Sequence, residues 1–387
     1  MDEVYLDNNA TTLCDPAVVE EMLPFFTEKG YNPSSIHRLG QKVGREVAKR
    51  RERVAELLGA ASPDEIVFTA GGSEADNLAI IGAAYKYRDR GRHVITTPVE
   101  HPAVMESCDW LAREGWDVTY LPVDETGLVD PGDLDAAIRA DTILVSVMHA
   151  NNEVGTVEPI VELGGICRDR GVLFHTDAVQ SVGKLPVNVG QLKVDMLAIA
   201  AHKFYGPKGV GALYVRSGVE LEPVIHGGHQ ERGRRAGTTN AAGVVGLAKA
   251  LELAVVGQAD ESALLLKLRK RLVDAIKRDI PRALIVGHPE KVLPGTVNVC
   301  FPGLDGEAVL LALDSEGFAV STGSACSSGS PEPSHVHLAM GIKPEVARGS
   351  IRFSMGRYNT ENEVDRLIRI LPAVVRRLAE VSPLADN

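Results

Sequence analysis

Three side chains of different chemistry stand where a fold would offer them to a ligand: Lys203, Asp177 and Cys326. Lys203 follows Met196-Leu197-Ala198-Ile199-Ala200-Ala201-His202, an apolar run that reads as a buried strand, and precedes a loop broken by Gly206, Pro207, Gly209 and Gly211. Burial at the mouth of a strand disfavours an ammonium and lowers its pKa. The neutral amine can then form a Schiff base with an aldehyde. Read alone, the stretch fits a surface lysine opening a turn equally well. Asp177 follows the apolar run Val172–His175, where its carboxylate needs donors or a cation such as a protonated pyridine nitrogen. A helix-capping aspartate is the plainer alternative. Cys326 lies in Ser321-Thr322-Gly323-Ser324-Ala325-Cys326-Ser327-Ser328-Gly329-Ser330-Pro331, a Gly/Ser-rich stretch expected to be an exposed loop. Without apolar neighbours to bury it, this thiol reads as a nucleophile, whereas Cys167 and Cys300 sit in apolar settings and read as core.

Weaker signals fall at the ends of other strand-like runs. Ala70-Gly71-Gly72-Ser73 leads from a strand into a helix N-terminus, where backbone N–H groups and the helix dipole suit a phosphate. It matches neither the Walker pattern nor Gly-x-Gly-x-x-Gly, which counts against ATP and dinucleotides. His101, in Glu100-His101-Pro102, could stack on a planar ring or move protons. Asn151-Asn152-Glu153 could read a ring hydroxyl or a carboxylate. Each of these also fits ordinary cap or turn chemistry.

The elements that must position these groups alternate from Glu65 onward. Strands are expected at Ile66–Thr69, Val94–Thr97, Val118–Leu121, Ile143–Met148, Val172–His175, Met196–Ala200 and Gly211–Val215, with helices near Glu74–Arg88, Ala103–Arg113, Asp133–Arg139 and Ile160–Arg170. That rhythm predicts an α/β fold with a mostly parallel seven-stranded sheet covered on both faces. Before it, Asp15-Pro16 opens a helix towards Thr27, and Gln41–Leu58 is an amphipathic helix stopped by Gly59. After it come helical segments at Ala242–Val255 and Glu261–Arg278. The remainder reads as a smaller α+β unit: Thr296–Cys300, Glu307–Ser315, Ala319–Val320, Ser350–Ser354 and Glu361–Ala379. The expected division is a large domain over 14–257 and a small one formed by 1–13 with 258–387.

Bulk properties narrow the class. The 387 residues suffice for two domains, with 44% hydrophobic and 24% charged residues. A net charge of −11 argues against nucleic acid or an anionic membrane as partner. No apolar run reaches a membrane span, and Met1-Asp2-Glu3 lacks the basic start of a signal peptide, so a cytoplasmic protein is expected. Five dispersed cysteines with no Cys-x-x-Cys spacing suggest neither disulfides nor a zinc site. His226-Gly-Gly-His229 and His335-Val-His337 lack a ligand partner at metal spacing, so no metal is expected.

Taken together, these stretches resemble the cysteine desulfurases of the NifS/IscS type, in the class V aminotransferase branch of fold-type-I pyridoxal-phosphate enzymes. The resemblance covers nearly the whole chain. It rests on Tyr5-Leu6-Asp7-Asn8-Asn9-Ala10-Thr11-Thr12, Asn32-Pro33-Ser34-Ser35-x-His37, Glu100-His101, Asn151-Asn152-Glu153-x-Gly155, Asp177-Ala178-x-Gln180-Ser181, His202-Lys203-x-Tyr205-Gly206-Pro207-Lys208-Gly209, Gly323-Ser324-Ala325-Cys326 and Ser354-Met355-Gly356-Arg357. It implies that Lys203 holds pyridoxal 5'-phosphate and later moves the substrate Cα proton. Asp177 would pair with the ring nitrogen, Gln180 with the ring hydroxyl, and His101 would stack on the ring. Gly72, Ser73 and His202 would hold the phosphate, joined by Thr238 of a second subunit in a homodimer. Arg352 would clamp the substrate carboxylate, with Asn152 nearby. The implied reaction turns L-cysteine into L-alanine and leaves a persulfide on Cys326 for a sulfur acceptor such as an iron–sulfur scaffold. A selenocysteine lyase would keep the cofactor and change the substrate, although the Cys326 loop favours a desulfurase, and a transaminase would have no use for Cys326. Two departures stand out. Ala200 replaces a hydroxyl residue common three positions before the lysine, so weaker cofactor retention is expected. The tail after Ser382-Pro383-Leu384 is short where some relatives dock a scaffold protein.

Overall fold

The computed structural model describes residues 3–322 and 333–382. Cys326 lies outside the described residues. In chain order, β1 (Val4–Tyr5), α1 (Pro16–Met22) and α2 (Arg38–Leu58) lead to β2 (Ile66–Thr69), α3 (Gly72–Tyr87), β3 (His93–Thr96), α4 (Pro102–Arg113), β4 (Asp117–Tyr120), α5 (Pro131–Ala137) and β5 (Thr142–Ser146). Then follow α6 (Ile160–Arg170), β6 (Leu173–Asp177), α7 (Val189–Leu192), β7 (Met196–Ala200), β8 (Gly211–Val215) and the long α8 (Ala241–Asp279). The remaining elements are β9 (Leu284–Val286), β10 (Thr296–Cys300), α9 (Gly306–Ser315), β11 (Phe318–Ala319), α10 (His335–Ala339), α11 (Pro344–Ala347), β12 (Ser350–Ser354) and α12 (Glu361–Val381).

The central sheet has seven strands in the order β2-β8-β7-β6-β5-β3-β4, and only β8 runs against the rest. Its inner strands are buried along nearly their whole length because both faces are covered, and β7 is apolar throughout. Within β7, Leu197 and Ile199 enter one apolar cluster, while Met196 and Ala198 enter the cluster on the opposite face. Helices on both sides exclude water from the sheet, and the carboxyl ends of the parallel strands form one edge of the molecule.

A third apolar cluster joins Val4 and Leu6 to residues of α8, β10, α9, β12 and α12. Chain entry is fixed there by β1, which pairs in parallel with β11 at Val4↔Phe318. Residues beyond β1 then run along β12: Ser354 N–H donates to Leu6 O, and Asn8 N–H to Ser354 O.

Beyond small shifts at the ends of β3, β4, β5, β6, α2 and α5, three expectations differ from the fold. The two helical segments after Gly237 are one 39-residue helix, α8. Gly257 and the exposed Val256 mark a weak middle, but both halves are packed, Val244–Ala254 in the sheet cluster and Leu265–Ile276 in the third. A single helical glycine costs only about 1 kcal/mol, less than this packing returns. Part of α8 is also long and apolar enough to cross a membrane, contrary to the sequence reading, yet more than half of that stretch is buried within the fold. Finally, α1 stops at Met22, and a 3-10 turn over Leu23–Phe25 replaces the run to Thr27, because Pro24 has no N–H to give.

Candidate active site

A cavity of about 230 Å³ opens at the carboxyl edge of the sheet, lined by Gly72, Ser73, His101, Asn152, Asp177, Gln180, His202 and Lys203 together with Ala10, Asp76, Met148, Val179 and Ala200. Eight residues singled out from sequence therefore meet in one place. A larger hollow of about 590 Å³ lies against α3 and α4, near Tyr85 and Trp110, and contains none of the site residues expected from sequence.

Each wall follows from a local rule. Lys203 ends the short 3-10 turn that succeeds β7. The loop beyond it is held by Tyr205, whose φ of 64° lies in the left-handed region and whose N–H donates to Thr12 Oγ1 at 2.7 Å. Such a strained residue persists only where its surroundings over-determine it. Here Arg357 N–H donates to the Tyr205 hydroxyl at 2.6 Å, and the Arg357 guanidinium stacks 3.9 Å from the ring centroid. Lys203 Nζ in turn donates to the main-chain oxygens of Asn9 and Ala10, at 2.6 and 2.9 Å.

Asp177 ends β6 and accepts a hydrogen bond from Val179 N–H at 2.8 Å. Burial raises its pKa to about 6, opposed by that N–H and by Lys203. Beneath it lies Asp76, fully enclosed, 3.5 Å from His175 Nε2 and pushed well above the carboxylate range by burial and then by Asp177 and Glu100. His101 caps α4: its Nδ1 accepts from Ala103 N–H at 3.1 Å, so the neutral ring carries its proton on Nε2. Burial, then Lys203 and His335, lowers its pKa to about 4. His202 also falls to about 4, by burial and then Lys203 and Lys208, and its Nδ1 meets Thr11 Oγ1 at 3.1 Å.

Two features of the chain fit a phosphorylated pyridine. No side chain caps the N-terminus of the 16-residue α3, leaving backbone N–H groups at Gly72 and Ser73 for an anion. Glycine is required there, since a Cβ on Gly72 would stand 2.8 Å from Val179 Cγ2. Across the cavity, the buried carboxylate of Asp177 is the partner a cationic ring nitrogen needs, and such a cation would offset the rise that burial causes.

Arg352 lies behind Asn152, its Nη1 donating to Asn152 O at 3.0 Å and its Nη2 to Asp7 at 2.6 Å. Its buried Nε has no partner among the described residues. Thr238 is exposed and does not line the cavity. The flanks of the stretch containing Cys326 are tied beside the site: Ser321 pairs with Arg352, and Ser334 Oγ donates to Glu153 at 2.6 Å. Among the described residues no three His, Cys, Asp or Glu side chains gather as for a metal ion, and His226 and His229 are exposed.

Sequence reasoning missed Asp7, Asn9, Asp76 and Lys184. Asn9 is the hub: its oxygen receives Lys203 and Gln180, and its side chain joins Lys184, Asn152 and Thr296. The dense polar run Asp7–Thr12 was the available signal, but it reads as a turn until the chain is folded.

A family model described as aminotransferase class-V matches residues 4–367. The chain is 49% identical over 384 residues to cysteine desulfurase IscS of Methanosarcina thermophila, covering 99% of this chain and 95% of that protein. It is 49% identical over 383 residues to cysteine desulfurase NifS of Azotobacter vinelandii, with 99% and 95% covered. Among solved structures, a NifS-like protein superposes with a TM-score of 0.91 at 42% identity, covering 97% of this chain and all of that one. The chain belongs to the class-V aminotransferase family, within its cysteine desulfurases of the IscS and NifS kind.

Proposed function

We propose that this desulfurase acts on L-cysteine with pyridoxal 5'-phosphate and returns L-alanine, its sulfur carried as a persulfide on Cys326. One observation carries the reading: Lys203, Asp177, His101 and Gln180 converge with the open N-terminus of α3 on a single cavity. When bound, the cofactor supplies an electron sink for the pair released at the substrate Cα.

The chain's own residues do the rest. Lys203 would hold the cofactor, and its amine would take and return the substrate Cα proton. Asp177 would pair with the ring nitrogen, Gln180 would donate to the ring oxygen, and His101 would border the ring. Gly72, Ser73 and His202 receive the phosphate, with Thr238 reaching the site of a second subunit in a homodimer. Arg352 takes the substrate carboxylate through its unpartnered Nε side, and Asn152 borders the same position. The Cys326 thiolate attacks the substrate sulfur; an S–S bond forms, the C–S bond breaks, and its electron pair stays on carbon, which is then protonated. A sulfur-accepting protein, such as an iron–sulfur scaffold, takes the sulfur onward. The apolar clusters support a large unit over 14–257 and a small one over 1–13 with 258–387, the cavity being lined by the large unit and by Ala10 of the small one.

The test is alanine and sulfide released from L-cysteine with a reductant, wild type beside Cys326→Ala. Equal amounts from wild type and nearly none from the variant are expected. Undiminished turnover by the variant would remove Cys326 from the mechanism.

A further inference from the structure

Lys184 has no part in the reaction above, yet its ammonium sits at the back of the site. Its Nζ is 3.0 Å from Gln180 Oε1 and 3.1 Å from Asn9 Oδ1. We propose that Lys184 is a positioning residue that fixes the side-chain amide of Gln180 so that its nitrogen, not its oxygen, faces the Lys203 side of the cavity.

An amide is nearly symmetric in shape, so only its partners decide which end points where. In its ammonium form, which prevails below about pH 7, Lys184 donates and cannot accept, and this commits the oxygen of Gln180 to it. Gln180 Nε2 is thereby turned to Asn9 O, at 2.8 Å, the same oxygen that Lys203 Nζ meets at 2.6 Å. One of its two hydrogens is used there, and the second remains for an oxygen beside Lys203. The same ammonium orders Asn9: with Oδ1 held by Lys184, Nδ2 donates to Thr296 Oγ1 at 2.9 Å and to Asn152 O at 3.2 Å.

Lys184 is itself held in place. Its N–H donates to Ser181 O, and its carbonyl accepts from Ser262 Oγ at 2.7 Å and Gln258 Nε2 at 3.3 Å on α8. The charged groups facing it are Lys203, Glu261 and Arg352; burial first, and then Lys203, lowers its pKa to about 7. A flipped Gln180 would set its oxygen against Asn9 O and against any anionic oxygen in the cavity, a like-charge contact.

The inference rests on the functional reading, in which that oxygen belongs to the cofactor ring. A donor with a cation behind it stabilises negative charge on the oxygen and lowers its hold on a proton shared with the nitrogen of Lys203. Removing the ammonium should therefore raise the pH at which the bound cofactor loses that proton, on the order of one unit. The experiment is a pH titration of the visible absorbance of wild type and Lys184→Met loaded with pyridoxal 5'-phosphate, repeated in a Gln180→Ala background. The midpoint should rise in Lys184→Met, and most of the rise should vanish when Gln180 is absent. An unchanged midpoint, or a rise that persists in full without Gln180, overturns the positioning role. Should Lys184→Met not fold, Lys184→Leu, which likewise has no donor, is read by the same criteria. A wild type that takes up no pyridoxal 5'-phosphate overturns the functional reading first, and this inference with it.

Discussion

Arg352 Nη2 and Asp7 Oδ1 meet at 2.6 Å, although the two residues stand at opposite ends of the chain. Arg352 is 2% exposed, so the pair is desolvated on its arginine side and held in one geometry. With Nη1 on Asn152 O as well, the guanidinium plane is set before any ligand arrives. Arg352→Lys replaces a planar fork with a point charge that cannot reproduce both contacts. The Michaelis constant for L-cysteine should rise about 10- to 100-fold, with a smaller change in kcat. Steady-state alanine formation checks it; an unchanged Michaelis constant would separate Arg352 from the substrate.

His101 serves as both a helix cap and a wall of the cavity, and the two roles can be separated. Asn is a good cap, so His101→Asn should leave the thermal midpoint nearly unchanged while removing the ring. Turnover should fall about 100-fold or more. The lowered pKa also implies that the wild-type ring stays neutral down to about pH 4. An imidazole NMR titration centred near its ordinary value would contradict the burial argument.

Ala200 stands at the cavity wall, 3.5 Å from where a Cβ on Gly72 would lie. A hydroxyl here would face the phosphate end of the site, and a charge-assisted hydrogen bond contributes about 1.5–3 kcal/mol. Ala200→Ser should therefore bind pyridoxal 5'-phosphate at least about tenfold more tightly. Equilibrium dialysis of the two proteins measures the difference directly.

Glu158 offers a stability test away from the chemistry. It is 3% exposed, accepts from Val129 N–H at 3.0 Å, and leaves Oε1 without a partner among the described residues. Burial, partly offset by Val129 N–H, raises its pKa to about 8. The folded state thus holds the proton more tightly than the unfolded chain. Its stabilising share is complete below the unfolded pKa and is lost as pH rises through about 8. Glu158→Gln escapes that loss, so urea unfolding should show its advantage growing from pH 5 to pH 9, to about 4 kcal/mol at most. A constant difference would refute it.

The sheet was legible because burial on both faces writes continuous apolar runs, and those runs hardly depend on what packs against them. β2, β7 and β8 coincide with their expected bounds, and Asp15 and Gly59 cap their helices as their residue types require. Ligand chemistry followed, since groups at the carboxyl ends of such strands must share one edge. The α8 boundary was not legible: a local glycine signals a break, and only packing at both ends overrides it.

What the sequence determined by itself was the set of elements, the groups at their ends and, through the motifs, the family. What only the tertiary structure decided was which distant polar atoms meet. Asn9 is 175 residues from Lys184, and Asp7 is 345 from Arg352. Local periodicity carries no information on such pairs, because they form only after the N-terminal segment lies along β12 and crosses the end of the sheet. There, loss of water leaves the donors dependent on acceptors that only the fold brings within reach.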